Sequence, residues 1–464
     1  MELNEIITLC IFLIVYAMIM ARSKLKNIPF WLIMSIGTIL VLGFGIISID
    51  SAIKSINIQV IGFLFGMFSI TSALEKSGVL NYAIRKVLIR IKNVKYILMI
   101  IVILSGFLAA FVVNDTAAII IIPFAISISK QLGIKPSVIL ISIAMGINIG
   151  SVMTPIGSPQ NLLIASQSGI SMPFITFLSI LGPPTIINLF LGGLVLSFYF
   201  KNNIHTKSLL QEHNLDSCDR CNNCDNNNNN RLYDDGDSRN KSDLIQFSFA
   251  NKFAKISVIV FLSTIGAIVL SEVFNLLFKV VYLDIGTISL LGAASLYIFC
   301  KERIPILKSV NYSVLIFFIG MFIFTSALWT SGLIPDILRL FPPVNSDNTY
   351  DLIYDNAIIS SVSIILSQIL SNVPFVATYN LYMIQNGFDG DDVYAWLMLA
   401  AASTIAGNLT IFGAASNIII MQTAESRGVK VFTFLEFLKI GSAITGLNIT
   451  VFYLFLIFHS SYHL

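Results

Sequence analysis

Apolar residues gather into runs of bilayer-crossing length near 2–21, 28–48, 56–74, 138–166, 172–200, 253–274, 281–299, 310–328, 393–424 and 432–459. Each reads as a crossing helix, because lipid offers no partner for an open backbone. Two further stretches, 95–129 and 355–385, are too long for one crossing and too short for two, and both carry polar residues at the midpoint. They read as re-entrant hairpins. The pattern predicts an all-α polytopic membrane protein.

Composition agrees: the 464 residues are 56% hydrophobic and 11% charged, with a mean hydropathy of +0.84. The run at 2–21 lacks a small-residue cleavage site and is read as a retained span. The net charge of +3 gives no reason to expect a nucleic-acid partner; the lipid bilayer is the expected surrounding. The placement of the basic residues says more. If the hairpins enter and leave on one face, all but Lys54, Lys279 and Arg339 of the 28 Lys and Arg fall on a single side. That side is then cytoplasmic and both termini lie outside, in what is expected to be the plasma membrane.

The chain repeats itself. "GMFSITSALEKSG" (66–78) and "GMFIFTSALWTSG" (320–332) share nine of thirteen positions at an offset of 254. Composition alone does not explain the shared Gly, Thr and Ser-Gly. Thr154, Gly157 and Asn161 of "TPIGSPQN" recur as Thr410, Gly413 and Asn417 of "TIFGAASN", and Asn114 recurs as Asn372. The expected organisation is a first repeat at 1–200, a cytoplasmic and mostly disordered linker at 201–252, and a second repeat at 253–464. Each half has five crossing helices, one of them broken, plus a hairpin. An odd number of crossings inverts one half relative to the other, and inverted repeats with interrupted helices are a mark of secondary transporters.

Broken backbone inside a membrane is tolerated only against protein or a water-filled cavity, so the four breaks point to one site. "FVVNDTAA" places Asn114, Asp115 and Thr116, all good cap types, at the first hairpin tip. "NIGSVMTPIGSPQN" contributes Asn148, Thr154, Gly157, Ser158 and Asn161, with Ser158 as N-cap and Pro159 as first helical residue. "SNVP" gives Ser371 and Asn372 at the second tip, and "GNLTIFGAASN" gives Thr410, Gly413, Ser416 and Asn417. Half-helix N-termini present free N–H donors and partial positive charge, which suits an anion or an oxyanion-like neutral solute without Lys or Arg. Carbonyls with Asn and Thr oxygens suit Na⁺ beside it. No cofactor is expected, only a coupling ion, Na⁺ or H⁺.

Asp115 is the one acid placed deep in the membrane; Glu75 and Glu272 fall near helix ends and the others in loops or at the N-terminus. An ionisable group there is expensive and therefore functional by default. It carries a proton or stays charged beside a cation, and a hairpin cap is a compatible further role. The "GPP" at 182–184 reads as a kink or an interfacial turn, and 79–92 as a basic amphipathic surface helix. In the linker, Cys218, Cys221 and Cys224 form C-x2-C-x2-C, a low-odds thiophilic metal site because a second Cys pair is missing. The four His (205, 213, 459 and 463) lie at termini or in a loop, which argues against an intramembrane enzyme.

"NDTAA" with Pro123 after it, "NIGSVMTPIGSPQN" and the Gly-Met-Phe helix ending in "EKSG" resemble the ion transporter superfamily: arsenical pump membrane subunits, sodium/proton antiporters of the same fold, citrate-transporter-like permeases and sodium-coupled dicarboxylate/sulfate carriers. The likeness covers nearly everything outside 201–252. It implies two inverted repeats, substrate and ions held at hairpin tips and broken helices, elevator-like or rocking movement, and homodimers. A soluble ATPase partner on the cytoplasmic loops is compatible with the absence of G-x4-G-K-[ST]. The sodium-coupled carboxylate pattern is Ser-Asn-Thr at both tips, whereas this chain has Asn-Asp-Thr and Ser-Asn-Val, so Val373 offers no hydroxyl to a second sodium site. The Asn-Asp order looks more like the arsenical-pump branch. The expected function is secondary transport of a small inorganic or carboxylate anion, or an anion-like solute, with a Na⁺/H⁺ antiporter as the alternative and an anion channel behind both.

Overall fold

The computed structural model describes residues 3–21, 28–80, 82, 86, 96–201, 252–278, 283–339, 344 and 352–463. Among these the regular elements are helices. The first half runs α1 (Leu3–Ala21), α2 (Phe30–Gly43), α3 (Ile49–Ser55), α4 (Ile58–Lys76), α5 (Ile97–Val112), α6 (Asn114–Leu132), α7 (Pro136–Gly150), α8 (Pro159–Gln167) and α9 (Pro173–Tyr199). The second runs α10 (Lys252–Phe278), α11 (Ile285–Phe299), α12 (Arg303–Ser309), α13 (Tyr312–Thr330), α14 (Leu333–Leu338), α15 (Leu352–Leu370), α16 (Asn372–Gln385), α17 (Val393–Ile405), α18 (Ala415–Ser426) and α19 (Phe434–His463). Seven of the described helices or helix runs are long and apolar enough to cross a membrane, and five shorter apolar helices accompany them. Helix breaks fall at 113 and 371, inside the two stretches read as hairpins, and at 151–158 and 406–414, inside the apolar runs 138–166 and 393–424.

Among the described residues, each of α1 to α9 has a counterpart of the same kind and order between α10 and α19; the positions that match α14, 79–84, are only partly described. Packing is reciprocal as well: α4 lies on α11 while α13 lies on α2, and α6 lies on α18 while α16 lies on α8. Exchange of partners in this way follows the internal repeat of the sequence. Side chains that recur at an offset of 260 meet between the halves. Asn148 Nδ2 donates to Asn408 Oδ1 at 3.0 Å, and Asn188 Nδ2 donates to the Asn448 carbonyl at 3.2 Å.

The repeated "GMF…SG" segment has a packing reason at each end. A Cβ on Gly66 would lie 2.5 Å from the Ser289 backbone, so α4 and α11 cross in backbone contact there. At Gly320 the approach is to α2, where Thr38 Oγ1 donates to the Gly320 carbonyl at 3.0 Å. The closing Ser-Gly stops both helices: Ser77 and Ser331 are the C-caps, and Gly78 and Gly332 follow with φ of 75° and 85°. N-caps are equally local, with Asn57 Oδ1 taking the Val60 N–H and Asp284 Oδ1 the Thr287 N–H.

Contacts divide the helices into two bundles. One contains α1–α4 with α10–α14; the other contains α5–α9 with α15–α19. They touch through α4 against α6 and α8, α13 against α16, and the start of α9 against α10. Large apolar side chains such as Ile186, Phe190, Ile259, Leu262 and Leu291 stay exposed on outward faces, as lipid contact requires. Gly182-Pro183-Pro184 sits inside α9 behind a π-helical turn at Phe177–Leu181, so it is a kink in a continuing helix rather than a turn. Asp355 lies buried in the first turn of α15, not in a loop as its place in the sequence suggested. Most of the surface helix expected at 79–92 and most of the linker, including Cys218, Cys221 and Cys224, lie outside the described residues.

At the crossing of α5 on α7, a Cβ at Gly150 would come within 2.2 Å of Gly106 Cα. Gly150→Ala is expected to lower stability by about 1–3 kcal/mol through forced separation of the two backbones. Thermal unfolding of detergent-solubilised protein checks this, with Gly266→Ala as control because open space surrounds that position.

Candidate functional site

Both hairpins turn on one residue of unusual backbone. Val113 has φ of 57° and Ser371 φ of 68°, and among the described residues they are the two non-glycine positions with positive φ. For a β-branched valine this conformation is strained, and strain of this kind persists where the surroundings over-determine it. The helices beyond, α6 and α16, begin at Asn114 and Asn372. Neither tip caps as its sequence suggested. Val113 and Ser371 hold the N-cap positions without a side-chain cap, and Asn114 Oδ1 accepts the Asp115 N–H at 2.8 Å.

The broken helices are built alike. After α7 come a 3₁₀ turn at Ser151–Met153, extended Thr154, and Gly157, whose Cβ would lie 2.3 Å from the Ser151 carbonyl oxygen. Ser158 then caps α8 by accepting the Asn161 N–H, and Pro159 opens the helix as expected. After α17 come Ala406–Asn408, extended Thr410 and Ile411–Gly413 before α18. A buried amide spans each break. Asn161 Nδ2 donates to the carbonyls of Ser151 (2.9 Å) and Thr154 (3.4 Å), and Asn417 Nδ2 donates to those of Gly407 (2.7 Å) and Thr410 (3.3 Å). The Thr154 and Thr410 carbonyls also accept the N–H groups of Gly157 and Gly413, at 3.2 and 3.1 Å, so each amide ties the start of its break to the turn that follows.

Each tip is fastened to its break, by different means. In the first half the Asn114 N–H donates to the Gly157 carbonyl at 2.9 Å and Thr154 Oγ1 donates to the Ala110 carbonyl. In the second, Gln368 does this work: it accepts from Thr410 Oγ1 at 2.7 Å and donates to the Ala406 carbonyl at 2.9 Å. The two breaks are joined through Asn148. Its Nδ2 donates to Asn408 Oδ1 and Asn417 Oδ1, and its Oδ1 accepts from Ser416 Oγ, all near 3 Å.

In front of this network is a cavity of about 210 Å³. Its walls come from both bundles. Trp31 and Met34 of α2 and Asn311, Ser313 and Phe317 at the start of α13 line one side; both tips, Pro159 and Gln160 of α8, and Ala414 and Ala415 at the start of α18 line the other. Of the residues singled out from sequence, Asn114, Asp115, Ser371 and Asn372 line the cavity. Thr154, Gly157, Ser158, Asn161, Thr410, Ser416 and Asn417, with Asn148, form the bracing behind it; Gly413 closes the second break and Thr116 follows the first tip. Asp115 is 6% exposed, and its Oδ1 and the Asn372 Oδ1 are buried without a hydrogen-bond partner among the described residues. Buried oxygens without partners beside a cavity are costly as they stand and would be relieved by a hydrogen-bearing or cationic group.

Gln160, Gln368, Thr404 and Asn408 escaped the sequence reading. The repeat offset was a usable signal for Asn408, as the counterpart of Asn148. Gln368 corresponds to Ala110, whose backbone does the equivalent job, so no signal existed for it. Glu272, placed near a helix end, is buried on α10, where its carboxylate accepts the N–H groups of Phe174 and Ile175 at the start of α9.

The family described as citrate transporter matches residues 11–386. Curated relatives include a Dictyostelium discoideum protein named transporter arsB, 26% identical over 90% of this chain and 85% of its own length. A rice (Oryza sativa subsp. japonica) silicon efflux transporter, LSI3, is 27% identical over 84% of each chain. A 46 kDa membrane protein of Mycobacterium leprae is 25% identical over 96% of this chain and 97% of its own.

Because the amides of Asn161 and Asn417 hold equivalent breaks, Asn161→Ala and Asn417→Ala are each expected to lower stability by about 1–3 kcal/mol and to weaken solute binding. Thermal unfolding with and without solute measures both effects, and a loss in only one variant would contradict the equivalence of the two breaks.

Proposed function

Since the chain belongs to the citrate transporter family, and so is an integral membrane transporter, we propose that it moves a small anion or anion-like solute by secondary active transport coupled to H⁺ or Na⁺. The observation that carries this reading is the convergence of both hairpin tips and the starts of α8 and α18 on one cavity at the boundary between two bundles. A solute held by one bundle against the wall of the other changes sides when the bundles slide or rock, with no open pore at any stage. The odd crossing count in each half supports opposite orientations in the membrane.

With the basic face cytoplasmic and the termini outside, α2 and α13 begin on the inner side. Their first turns line the cavity, which makes this state inward-open. The same reading keeps the linker at 201–252 cytoplasmic and allows a homodimer. Asp115 is the coupling group of the proposal: it lines the cavity, is buried, and has an unpartnered oxygen. That oxygen, with Asn372 Oδ1, also suits a cation, which is the specific support for a Na⁺/H⁺ antiporter as the second reading.

Thermal stabilisation of the detergent-solubilised protein against citrate, succinate, sulfate, phosphate, arsenite and Na⁺ at two pH values separates the two. Transport of an anion or oxyacid predicts a shift with one of those solutes that grows with Na⁺ or acid, about 2.7 kcal/mol at a hundred times Kd. A shift with Na⁺ or pH alone selects the antiporter. Asp115→Asn is expected to fold, to keep solute binding and to lose the dependence of transport on pH or Na⁺; unchanged coupling would reduce Asp115 to a cap of the tip.

A further inference from the structure

The first half of the site has spent most of its donors before a solute arrives. At the tip, the Asn114 N–H is taken by the Gly157 carbonyl and the Asp115 N–H by Asn114 Oδ1. At the start of α8, Pro159 has no N–H and the Asn161 N–H is taken by Ser158 Oγ. The anion-binding N-termini that the sequence suggests are therefore largely closed in this half.

Gln160 has its amide fixed by a chain of hydrogen bonds with one consistent direction. Asn161 Nδ2 faces two backbone carbonyls, which only accept, so the orientation of this amide follows from chemistry. Its Oδ1 must accept, and Thr404 Oγ1 donates to it at 3.0 Å. Thr404 has then used its one hydrogen, so the next contact on its oxygen must be a donor: Gln160 Nε2 at 3.3 Å. Gln160 lines the cavity with one Nε2 hydrogen committed to Thr404, which fixes the amide so that Oε1, with no partner among the described residues, is the acceptor it offers the solute. Asp115 also lines this wall, which therefore carries a carboxylate and the Gln160 amide oxygen beside the side-chain amides of Asn114 and Asn372. A carboxylate on the wall repels an ionised carboxylate, and the two acceptors reward a solute that brings its own O–H groups.

We propose that Gln160, held by the Thr404–Asn161 relay, is a specificity-determining residue that selects an uncharged, hydroxyl-bearing oxyacid over an ionised polycarboxylate. The proposal rests on the cavity being the transport site. A hydroxyl donates to Gln160 Oε1 while the solute oxygens take the N–H groups still free on the second half. Breaking the relay at Thr404 frees the Gln160 amide to turn, so that Nε2 faces the cavity and the preference falls.

The test is transport by the full chain in proteoliposomes, with arsenous acid and silicic acid as oxyacid probes, citrate as competitor, and NaCl alone as control. The wild-type protein is expected to transport an oxyacid and to be inhibited weakly by citrate. Gln160→Leu and Thr404→Val should each raise the oxyacid KM on the order of tenfold, the size of one lost hydrogen bond. Thr404→Val should also strengthen citrate inhibition, whereas Thr404→Ser, which keeps the hydroxyl, should stay near wild type in both. A purely structural role would change stability or kcat and leave the ratio of oxyacid KM to citrate inhibition constant; that constant ratio would overturn the proposal. Wild-type preference for citrate would overturn it while leaving transport at this cavity intact. No solute transport, with only Na⁺-driven proton movement, would overturn the transport reading itself.

Discussion

Everything around the cavity depends on satisfying main-chain carbonyls where helices stop inside an apolar interior. A crossing helix bonds its own backbone; one that breaks at mid-membrane exposes groups that lipid cannot serve. The chain meets this constraint with two asparagines, Asn161 and Asn417, each fully buried and each donating twice across its own break. Once those amides are oriented, the orientation of every side chain bonded to them follows. Asn148 must give its Nδ2 to Asn417 Oδ1, so its Oδ1 is available to Ser416, and the two breaks become one polar unit. A partly satisfied buried network is costly, which ties the geometry of the cavity wall to the integrity of these bonds.

The symmetry of the fold is mechanical rather than chemical. Helix order, reciprocal packing, strained tips and bridged breaks all recur, so both halves build the same frame. Of the groups that face the cavity, Asn114 recurs as Asn372, but others do not: Asp115 has Val373 as its counterpart and Gln160 has Ser416, while in the bracing behind them Ala110 has Gln368. Two-fold framing brings two tips and two helix starts to one place, and unlike residues there give the place a direction and a preference. A site identical on both sides would hold two equivalent solutes or one symmetric one.

Much of this was legible in the sequence because its causes are local. Crossing length, the Ser-Pro start of α8, the Ser-Gly stops of α4 and α13, and the matched Gly and Asn positions each follow from backbone geometry that a few neighbouring residues determine. The positions of Asn114, Asp115, Ser371 and Asn372 at the cavity followed from the breaks. What was not legible depends on tertiary approach. Thr404 is the penultimate residue of α17, outside the quoted break motif, and becomes part of the wall's wiring because α17 packs on α8. The sequence also presented Asn161 and Asn417 as solute ligands, whereas they face backbone. An Asn beside a break is equally suited to a solute and to a carbonyl, and only the folded geometry distinguishes the two.

Counting donors changes the meaning of the half-helix starts. From sequence alone they offer positive ends to an anion. In the folded chain the first half consumes several of those N–H groups internally, and what it presents toward the cavity includes the Asp115 carboxylate and the Gln160 amide. Partial positive charge then persists at the helix ends while direct donors are scarce, a combination that stabilises electron-rich solute oxygens at a distance yet asks for solute hydrogens at contact. Hydroxylated oxyacids meet both demands in one molecule. Asp115 adds a single ionisable group to this wall with no acid at the matching position, so a cycle that uses a side chain to carry charge moves one unit through it, and the solute itself can cross without any net charge.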